Sequence, residues 1–427
     1  MKKLQITIER MGERIGIGTI EGNDYRDAFF SYADSYLTSK AAIPISISLP
    51  LQEEPFSTDR TRTFFEGLLP EGFTRRSVAQ WMHADENDYL SILSVLGEEC
   101  IGAIQVKEAG ASETVSGYEE LTSERVRELA LEGASRSAQI ITKTHLSLAG
   151  ASGKVGLYYD EESGRWFLPL GNAPSTHIIK QSHVRLSGIV LNEQLCMMTA
   201  KRLGIDVPDS FIINTGNGSD EDVLYATRRY DRTVAKEGGS NGLRMPWRLH
   251  QEDFAQALGI PSIRKYESAE DDYLKIMFDL LRRVSADPIR DQLALWDSMV
   301  FHYLIGNTDG HIKNFSLVYS PDLATIRFAP VYDIISTIVY PESTRNMALG
   351  INGVYDIDAF SEELFEAAAE KAGLGKKMAM QRFAKMKNQF EDALTQSTNE
   401  LQNAGFIAAS GLRDQILLRR AAGLKGD

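Results

Sequence analysis

The residues that could do chemistry most directly are Asp309 and Asn314, which lie five positions apart in the segment GNTDGHIKNF. A carboxylate can accept the proton of an attacking hydroxyl group, and an amide oxygen can ligate Mg²⁺. A short loop that holds both groups would suit the transfer of a phosphoryl group, which needs a base and a metal ion close together. Alone, the spacing is a weak indication, because Asp and Asn also occur together in ordinary capped turns.

Three further residues occur in an order that favours phosphoryl transfer. Lys180 ends a predicted strand, Glu193 lies on the next predicted helix, and Asp333 ends an apolar run downstream of the loop. Protein kinases use a strand Lys on the phosphates, a helix Glu paired with it, a loop Asp and Asn, and a second metal-binding Asp. Lys180 and Glu193 could also be an ordinary surface pair, worth about 0–1 kcal/mol. The order of the whole set favours the kinase interpretation.

A segment of small residues before Lys154 could cradle a phosphate group. Small side chains let backbone N–H groups approach phosphate oxygens, and the lysine adds positive charge. The segment matches neither the G-x-G-x-x-G loop of protein kinases nor a Walker A loop, and it would also suit a flexible loop. The candidate phosphate loop consists of Ala149, Gly150, Ala151, Ser152, Gly153 and Lys154.

The surrounding pattern predicts an α+β protein with three domains: residues 1–110, 111–235 and 236–427. The first is a β/α module, in which Met1–Arg10 and Ile43–Leu49 alternate as strands do. The second is β-rich and contains the predicted strands Val155–Tyr159, Arg165–Leu168, Thr176–Lys180, Phe211–Asn214 and Val223–Arg228, with a helix over Gly188–Leu203. The third is mainly helical, with helices over Tyr273–Arg283, Ile289–Ile305, Ala359–Ala372, Met378–Asn403 and Leu412–Leu424.

Composition narrows the class of protein. The chain has 427 residues, 43% of them hydrophobic, and a net charge of -13. The acidic balance argues against a main surface that grips nucleic acid, which needs clustered Lys and Arg. Two cysteines, the absence of a signal-peptide pattern and the absence of a long apolar run predict a cytoplasmic protein without a membrane association.

Five motifs together resemble the HipA family of serine/threonine kinase toxins. They are S-x-x-G-x-x-x-K from Ser147, THIIK from Thr176, RRYDR from Arg228, TDGHIKNF from Thr308 and YDIIS from Tyr332. The segment FFEGLLPEG from Phe64 is similar to the N-terminal module of that family. The resemblance implies a protein-kinase-like bilobal fold with an N-terminal β-rich module and a mainly helical C-terminal lobe.

The resemblance also implies a role for each matching residue. Asp309 would be the catalytic base, Lys313 would stabilise the transferring charge, and Asn314 and Asp333 would bind Mg²⁺. Lys180, paired with Glu193, would contact the phosphates of ATP. The remaining ATP-binding residues would be the phosphate loop Ala149–Lys154, His311, and the adenine-binding hinge Arg228, Arg229 and Tyr230.

Regulation and partners follow from the resemblance as well. Ser147 would be autophosphorylated, and its added negative charge would repel ATP and inactivate the enzyme. The expected partners are a small helix-turn-helix antitoxin (HipB-like), DNA mainly through that antitoxin, and a protein substrate such as an aminoacyl-tRNA synthetase.

Two alternatives stay open: a pseudokinase or binding module in a repressor complex, and a small-molecule kinase. Arg228 stands where a family member has Glu, and Ser152 and Gly153 are unusual in the loop. We expect these departures to affect the affinity for ATP more than the chemistry of phosphoryl transfer.

Overall fold

The protein is described here by a computed structural model that covers residues 2–111, 116–131, 154–182, 186–234 and 242–423. Helices and sheets are both present, so the α+β class is confirmed. The chain forms two compact units. The first unit comprises residues 1–184, 213–262 and 318–325, and the second comprises residues 185–212, 263–317 and 326–427.

The first unit begins with a four-stranded antiparallel sheet in the order β3-β2-β1-β4. In β1, Leu4, Ile6 and Ile8 are buried while Lys3 and Gln5 are exposed, which confirms the alternation expected for a strand at the start of the chain. The bounds are β1 (Lys2–Arg10), β2 (Glu13–Gly22), β3 (Phe29–Tyr32), α1 (Asp34–Leu37), α2 (Thr58–Glu66), α3 (Gly72–Trp81), α4 (Tyr89–Leu96) and β4 (Ile104–Glu108).

The predicted strand over Ile43–Leu49 is wrong. The segment forms turns, with a single isolated bridge between Ser46 and Leu49. Its polar groups bind side chains instead of a neighbouring strand: the Glu252 carboxylate accepts from Ser46 Oγ at 2.5 Å and from the Ile47 N–H at 3.2 Å. Ser46 is fully buried, so the alternation of apolar and small polar residues came from a buried serine and not from an exposed strand face.

Glu252 makes a pH-dependent contribution to stability. Burial raises the pKa of this carboxyl group from 4.5 to about 7, although Ser46, Tyr319 and the Ile47 N–H donate to it. The folded state therefore holds a proton that the unfolded state releases above about pH 4.5. We expect the free energy of unfolding to fall by roughly 3 kcal/mol between these two pKa values and to level off above pH ~7.

Glu252→Gln, which is neutral at every pH, should remove this part of the pH dependence. Urea unfolding of both proteins on either side of pH ~6 measures it. If the two proteins lost the same stability with rising pH, the carboxyl group would be ionised in the folded state and this assignment would be overturned.

A second sheet in the first unit has the strand order β5-β7-β6-β8-β10, and β9 forms its far edge. The predicted strands Val155–Tyr159 and Arg165–Leu168 are confirmed, and they pair as the antiparallel strands β6 and β7. The bounds are β5 (Gly117–Glu120), a helix at residues 123–131 (α5), β6 (Lys154–Asp160), β7 (Arg165–Leu170), β8 (His177–Gln181), β9 (Ser210–Asn214), of which Ile213 and Asn214 belong to this unit, and β10 (Val223–Arg228).

A buried charge cluster joins the elements of the first unit. Some of its residues lie on short elements that follow β10 in the chain. These elements are β11 (Arg232–Val234), β12 (Pro246–Arg248), β13 (Gln251–Asp253) and a helix, α7 (Phe254–Leu258). The cluster has three positive and three negative side chains, which are Arg229, Arg232, Arg248, Glu9, Glu99 and Asp231. Glu99 lies at its centre and pairs with all three arginines. Each charge therefore has an opposite partner, as buried charges require.

The second unit is mainly helical. The longest helix, α11, packs against α6, α9, α10 and α12. The helix bounds are α6 (Ile189–Arg202), α8 (Tyr273–Val284), α9 (Pro288–Ile305), α10 (Glu362–Lys371), α11 (Lys376–Asn403) and α12 (Ala409–Gly423). The strands are β14 (Ser316–Tyr319), whose last two residues belong to the first unit, β15 (Ile326–Phe328), β16 (Asn346–Ile351) and β17 (Val354–Asp356). Among the described helices, none has the length and apolarity needed to span a bilayer.

Candidate active site

The loop of Asp309 and Asn314 begins where α9 ends. Pro288 at the first turn and the Asp287 cap start this helix, and Gly306 ends it with a left-handed backbone (φ 74°). Only glycine suits this position, because a Cβ atom would also lie 2.2 Å from Ile338 Cδ1. The helix therefore stops at a fixed residue and delivers the loop directly after it.

Asn307 holds the first part of the loop. Its side-chain Nδ2 donates to His302 Nδ1 at 2.9 Å, and its Oδ1 accepts from the Asp309 N–H at 3.1 Å. Burial lowers the pKa of His302 to about 4, so the ring is neutral near pH 7 and its Nδ1 can accept. The buried Asn307 thus connects the last turn of α9 to the backbone of the proposed base.

Asp309 itself is exposed to solvent at the surface of this loop. The backbone groups of the preceding residue, Thr308, make two hydrogen bonds: its N–H donates to the side-chain Oγ1 of Thr337 at 2.7 Å, and its carbonyl accepts from the Ala348 N–H at 2.9 Å. The Tyr266 hydroxyl donates to Asp309 Oδ1 at 2.7 Å. A carboxylate held on a fixed backbone and open to solvent can accept the proton of an incoming hydroxyl group.

Asn314 closes the loop as the last residue of a 3-10 turn, Ile312–Asn314. Its Oδ1 accepts from the His311 N–H at 3.0 Å, and its own N–H donates to the His311 carbonyl at 2.8 Å. The carbonyl of Lys313 accepts from the Tyr332 hydroxyl at 3.0 Å. His311, Lys313 and Asn314 are all buried, so the sequence motif forms one compact turn of fixed shape.

Asp333 has an unusual backbone. Its φ is 61°, in the left-handed region that non-glycine residues seldom adopt and that costs of the order of 1–3 kcal/mol. The segment after it is tied to α6, because the Ser336 N–H donates to Asn192 Oδ1 at 2.9 Å and Asn192 Nδ2 donates to the Ser336 carbonyl at 3.0 Å. The residue before it, Tyr332, contacts the catalytic loop through Lys313 and Ser316. The surrounding contacts therefore impose this conformation on Asp333.

Asn314 and Asp333 fit the donor set that Mg²⁺ prefers. Mg²⁺ in nucleotide sites takes one or two protein oxygens, and phosphate oxygens and waters complete its shell. The Asn314 amide oxygen accepts one hydrogen bond and has a second lone pair for a metal ion. Across the parts of the chain that the structure describes, no group of three or more His, Cys, Asp or Glu side chains is arranged to hold a metal ion. Asn314 and Asp333 therefore suit a metal ion whose remaining ligands come from nucleotide phosphates and water.

Two lysines of the first unit lie opposite each other in its second sheet. Lys154 on β6 and Lys180 on β8 are direct cross-strand partners, and each is 8% exposed. Residues directly opposite in antiparallel strands point to the same face, and like charges there repel each other. Lys180 also lies 5.5 Å from the ring centroid of Tyr225, its partner on β10. Two positive charges on one face of the sheet suit a phosphate group.

The three predicted hinge residues differ in what their side chains do. Arg228 is exposed and pairs with Glu161 at 3.2 Å. Arg229 belongs to the buried charge cluster, and its N–H donates to the Thr176 carbonyl at 2.9 Å. The Tyr230 hydroxyl contacts Gln251 Oε1. The guanidinium group of Arg229 therefore has a structural role. Adenine binding by this segment stays a prediction, and it would use backbone groups other than the Arg229 N–H, which already donates to Thr176.

For several site residues the assignment from the sequence stays a prediction. Ser147 and the phosphate-loop residues Ala149 to Gly153 lie outside the described residues. Glu193 is buried on α6, and its pairing with Lys180 stays a prediction. By contrast, sequence reasoning missed Tyr266, Asn192 and Asn307, which position the loop and Asp333. Only Asn307 had a local signal, since it lies within the motif; the other two belong to segments without one.

Comparisons with known proteins agree on one family. A model of the HipA-like C-terminal domain matches residues 146–394, and a model of the HipA N-terminal domain matches residues 11–107. The putative kinase Y4mE of Sinorhizobium fredii is 32% identical over 387 residues, 88% of this chain and 88% of that protein. The serine/threonine-protein kinase toxin HipA of Shewanella oneidensis is 25% identical over 348 residues, 79% of this chain and 76% of that protein.

One solved structure has a similar fold. It is the complex of the toxin–antitoxin proteins HipA and HipB with operator DNA from Shewanella oneidensis MR-1. The TM-score is 0.78 at 21% identity, and the match covers 97% of this chain and 96% of that chain. At this identity the likeness concerns the fold, and it confirms the predicted HipA-type, kinase-like fold.

Proposed function

Because the chain belongs to the HipA family, whose members include named kinases, we propose that it is an ATP-dependent serine/threonine protein kinase. The observation that carries this proposal is the fixed loop of the second unit. It presents the exposed carboxylate of Asp309 and, within five residues, the buried Lys313 and Asn314. A base, a cation and a metal ligand on one short loop are the protein groups that phosphoryl transfer needs.

Each residue has a proposed part in the reaction. Asp309 accepts the proton of the substrate serine hydroxyl, which makes the oxygen a better nucleophile. Asn314 and Asp333 bind Mg²⁺, and when bound the metal ion neutralises negative charge on the ATP phosphates. Lys313 stabilises the charge that develops on the transferring group, and Lys180 and Lys154 hold the phosphates. Glu193 orients Lys180, and His311 lies beside the phosphates.

Regulation is proposed at Ser147. Transfer of a phosphoryl group to this serine would place about -1.5 to -2 charge beside the Ala149–Lys154 loop and repel ATP. The enzyme would thereby inactivate itself.

The proposed binding partner is a small helix-turn-helix antitoxin, through which the complex would meet DNA. The similar solved structure contains HipA with HipB and operator DNA, and a net charge of -13 suits DNA contact through a partner. The proposed substrate is a protein serine, for which an aminoacyl-tRNA synthetase is the candidate that the family suggests. The consequence in the cell would be inhibition of translation.

Purified protein incubated with γ-labelled ATP and Mg²⁺ tests the proposal. We expect label on Ser147, no label when EDTA removes the metal, and no label in Asp333→Ala. Ser147→Ala should lose the label but keep a nucleotide-induced rise in melting temperature. Wild-type protein without label and without that rise would rule out an active kinase, and label only on small metabolites would show a small-molecule kinase.

A further inference from the structure

Tyr266 makes a direct contact with the proposed catalytic base. Its hydroxyl donates to Asp309 Oδ1 at 2.7 Å, which is the length of a strong hydrogen bond to a carboxylate. The ring is 49% exposed and also packs edge-on against His311, with 5.3 Å between ring centroids. The tyrosine comes from the segment before α8, 43 residues away in the chain.

The backbone on both sides of this contact is fixed by one residue. The Ala348 N–H donates to the carbonyl of Thr308, the residue before Asp309, and the Ala348 carbonyl accepts from the N–H of Glu267, the residue after Tyr266, both at 2.9 Å. Ala348 on β16 therefore sets the distance between the two segments.

Glu267 adds a second anchor. Its carboxylate accepts from the Gly350 N–H at 2.5 Å and from the Tyr273 N–H at 2.7 Å. Lys265, on the other side of Tyr266, accepts at its carbonyl from the Ile312 N–H at 3.4 Å. The position of Tyr266 is thus fixed by its two chain neighbours. The N–H and the carboxylate of Glu267 and the carbonyl of Lys265 all form hydrogen bonds, and none of these involves the side chain of Tyr266.

Stability does not explain this arrangement. A hydrogen bond at a solvent-exposed position adds little to folding, because water competes for both partners. An exposed carboxylate without a neighbour rotates broadly about its last side-chain torsion. A donor on Oδ1 limits that rotation. The hydrogen bond from Tyr266 therefore acts on the orientation of the Asp309 carboxylate more than on the stability of the fold.

We propose that Tyr266 is a positioning residue of the phosphoryl-transfer site, which orients the carboxylate of Asp309 toward the substrate serine. The inference rests on the proposed kinase function. It adds a residue outside the catalytic loop to the transfer step and assigns the effect to the hydroxyl group of Tyr266, not to its ring.

The test compares Tyr266→Phe and Tyr266→Ala with wild type in the incorporation of label from γ-labelled ATP into the chain. We expect both variants to lower the maximal rate roughly 10-fold, with the ATP concentration for half-maximal rate unchanged, because orientation and not nucleotide binding is lost. Tyr355→Phe is the matched control. Its hydroxyl donates to the Ser268 carbonyl at 2.9 Å, on the same segment but away from Asp309, and this variant should keep the wild-type rate.

The outcomes separate this inference from the proposed function. A wild-type rate for Tyr266→Phe would overturn the inference and leave the kinase proposal intact. A change only in the ATP concentration for half-maximal rate, or an equal loss in Tyr355→Phe, would overturn it as well. Wild-type protein with neither label nor a nucleotide-induced rise in melting temperature would instead overturn the kinase proposal, and the inference with it.

Discussion

Asp309→Asn should lower the rate of phosphoryl transfer by about 10²- to 10⁴-fold, the contribution typical of a positioned general base. Asparagine has the size of aspartate and keeps an oxygen that can accept from the Tyr266 hydroxyl, so the loop should keep its shape. Its amide cannot take the proton of the serine hydroxyl. The rate of label incorporation from γ-labelled ATP measures the loss.

Two controls make this result specific to the base. The melting temperature of Asp309→Asn should still rise with ATP and Mg²⁺, because Asn314 and Asp333 are unchanged. Asp322→Asn removes an exposed aspartate whose carboxylate accepts from the Ala324 N–H at 3.1 Å in a turn, and it should leave the rate unchanged. If Asp309→Asn transferred phosphate at the wild-type rate, the proton acceptor would be another group.

Glu99→Gln should destabilise the first unit by about 3–5 kcal/mol, the usual effect of removing one partner from a buried ion pair. Glu99 is 1% exposed and pairs with Arg229, Arg232 and Arg248 at 3.3, 2.8 and 2.6 Å. Without its charge, three buried guanidinium groups would share only Glu9 and Asp231. Urea unfolding gives the change in the free energy of unfolding.

The matched control is Glu120→Gln. Glu120 also pairs with an arginine, Arg165 at 2.8 Å, but both side chains are about half exposed, and the expected effect is below about 1 kcal/mol. Equal effects of the two substitutions would show that burial of the cluster carries no energetic weight.

The same cluster predicts that the protein loses stability in acid. Burial alone would raise the pKa of Glu99, but the three arginines outweigh it and lower the pKa to about 2. Its stabilising contribution is therefore full above the unfolded pKa of about 4.5 and is lost as the pH falls toward about 2.

The sequence predicts the parts of the site that are local in the chain. The Asp309–Asn314 loop has a fixed spacing and follows a helix that ends at a glycine, so both could be read from neighbouring residues. The structure confirms most strands and helices for the same reason, because periodicity within each element reflects which face is buried.

Contacts between distant segments could not be predicted. Tyr266 reaches Asp309 across 43 positions, and Ser46 reaches Glu252 across 206. Without knowledge of Glu252, the alternation around Ser46 predicted a strand. Arg229 was assigned to the adenine hinge, and its place in the buried cluster was not predicted, because Glu99, which it contacts in addition to Asp231, lies 130 positions earlier.

The buried charge cluster also has a consequence for protein synthesis. Glu9 and Glu99 emerge from the ribosome well before Arg248, which follows Glu99 by 149 positions. At about 5–20 residues per second, roughly 7 to 30 s pass before the last arginine is made. A nascent chain that stops near residue 110 would have to bury two acidic groups without any of their arginines. We therefore expect Glu9 and Glu99 to become buried only after the later arginines have been translated, although the residues of the N-terminal sheet are made first.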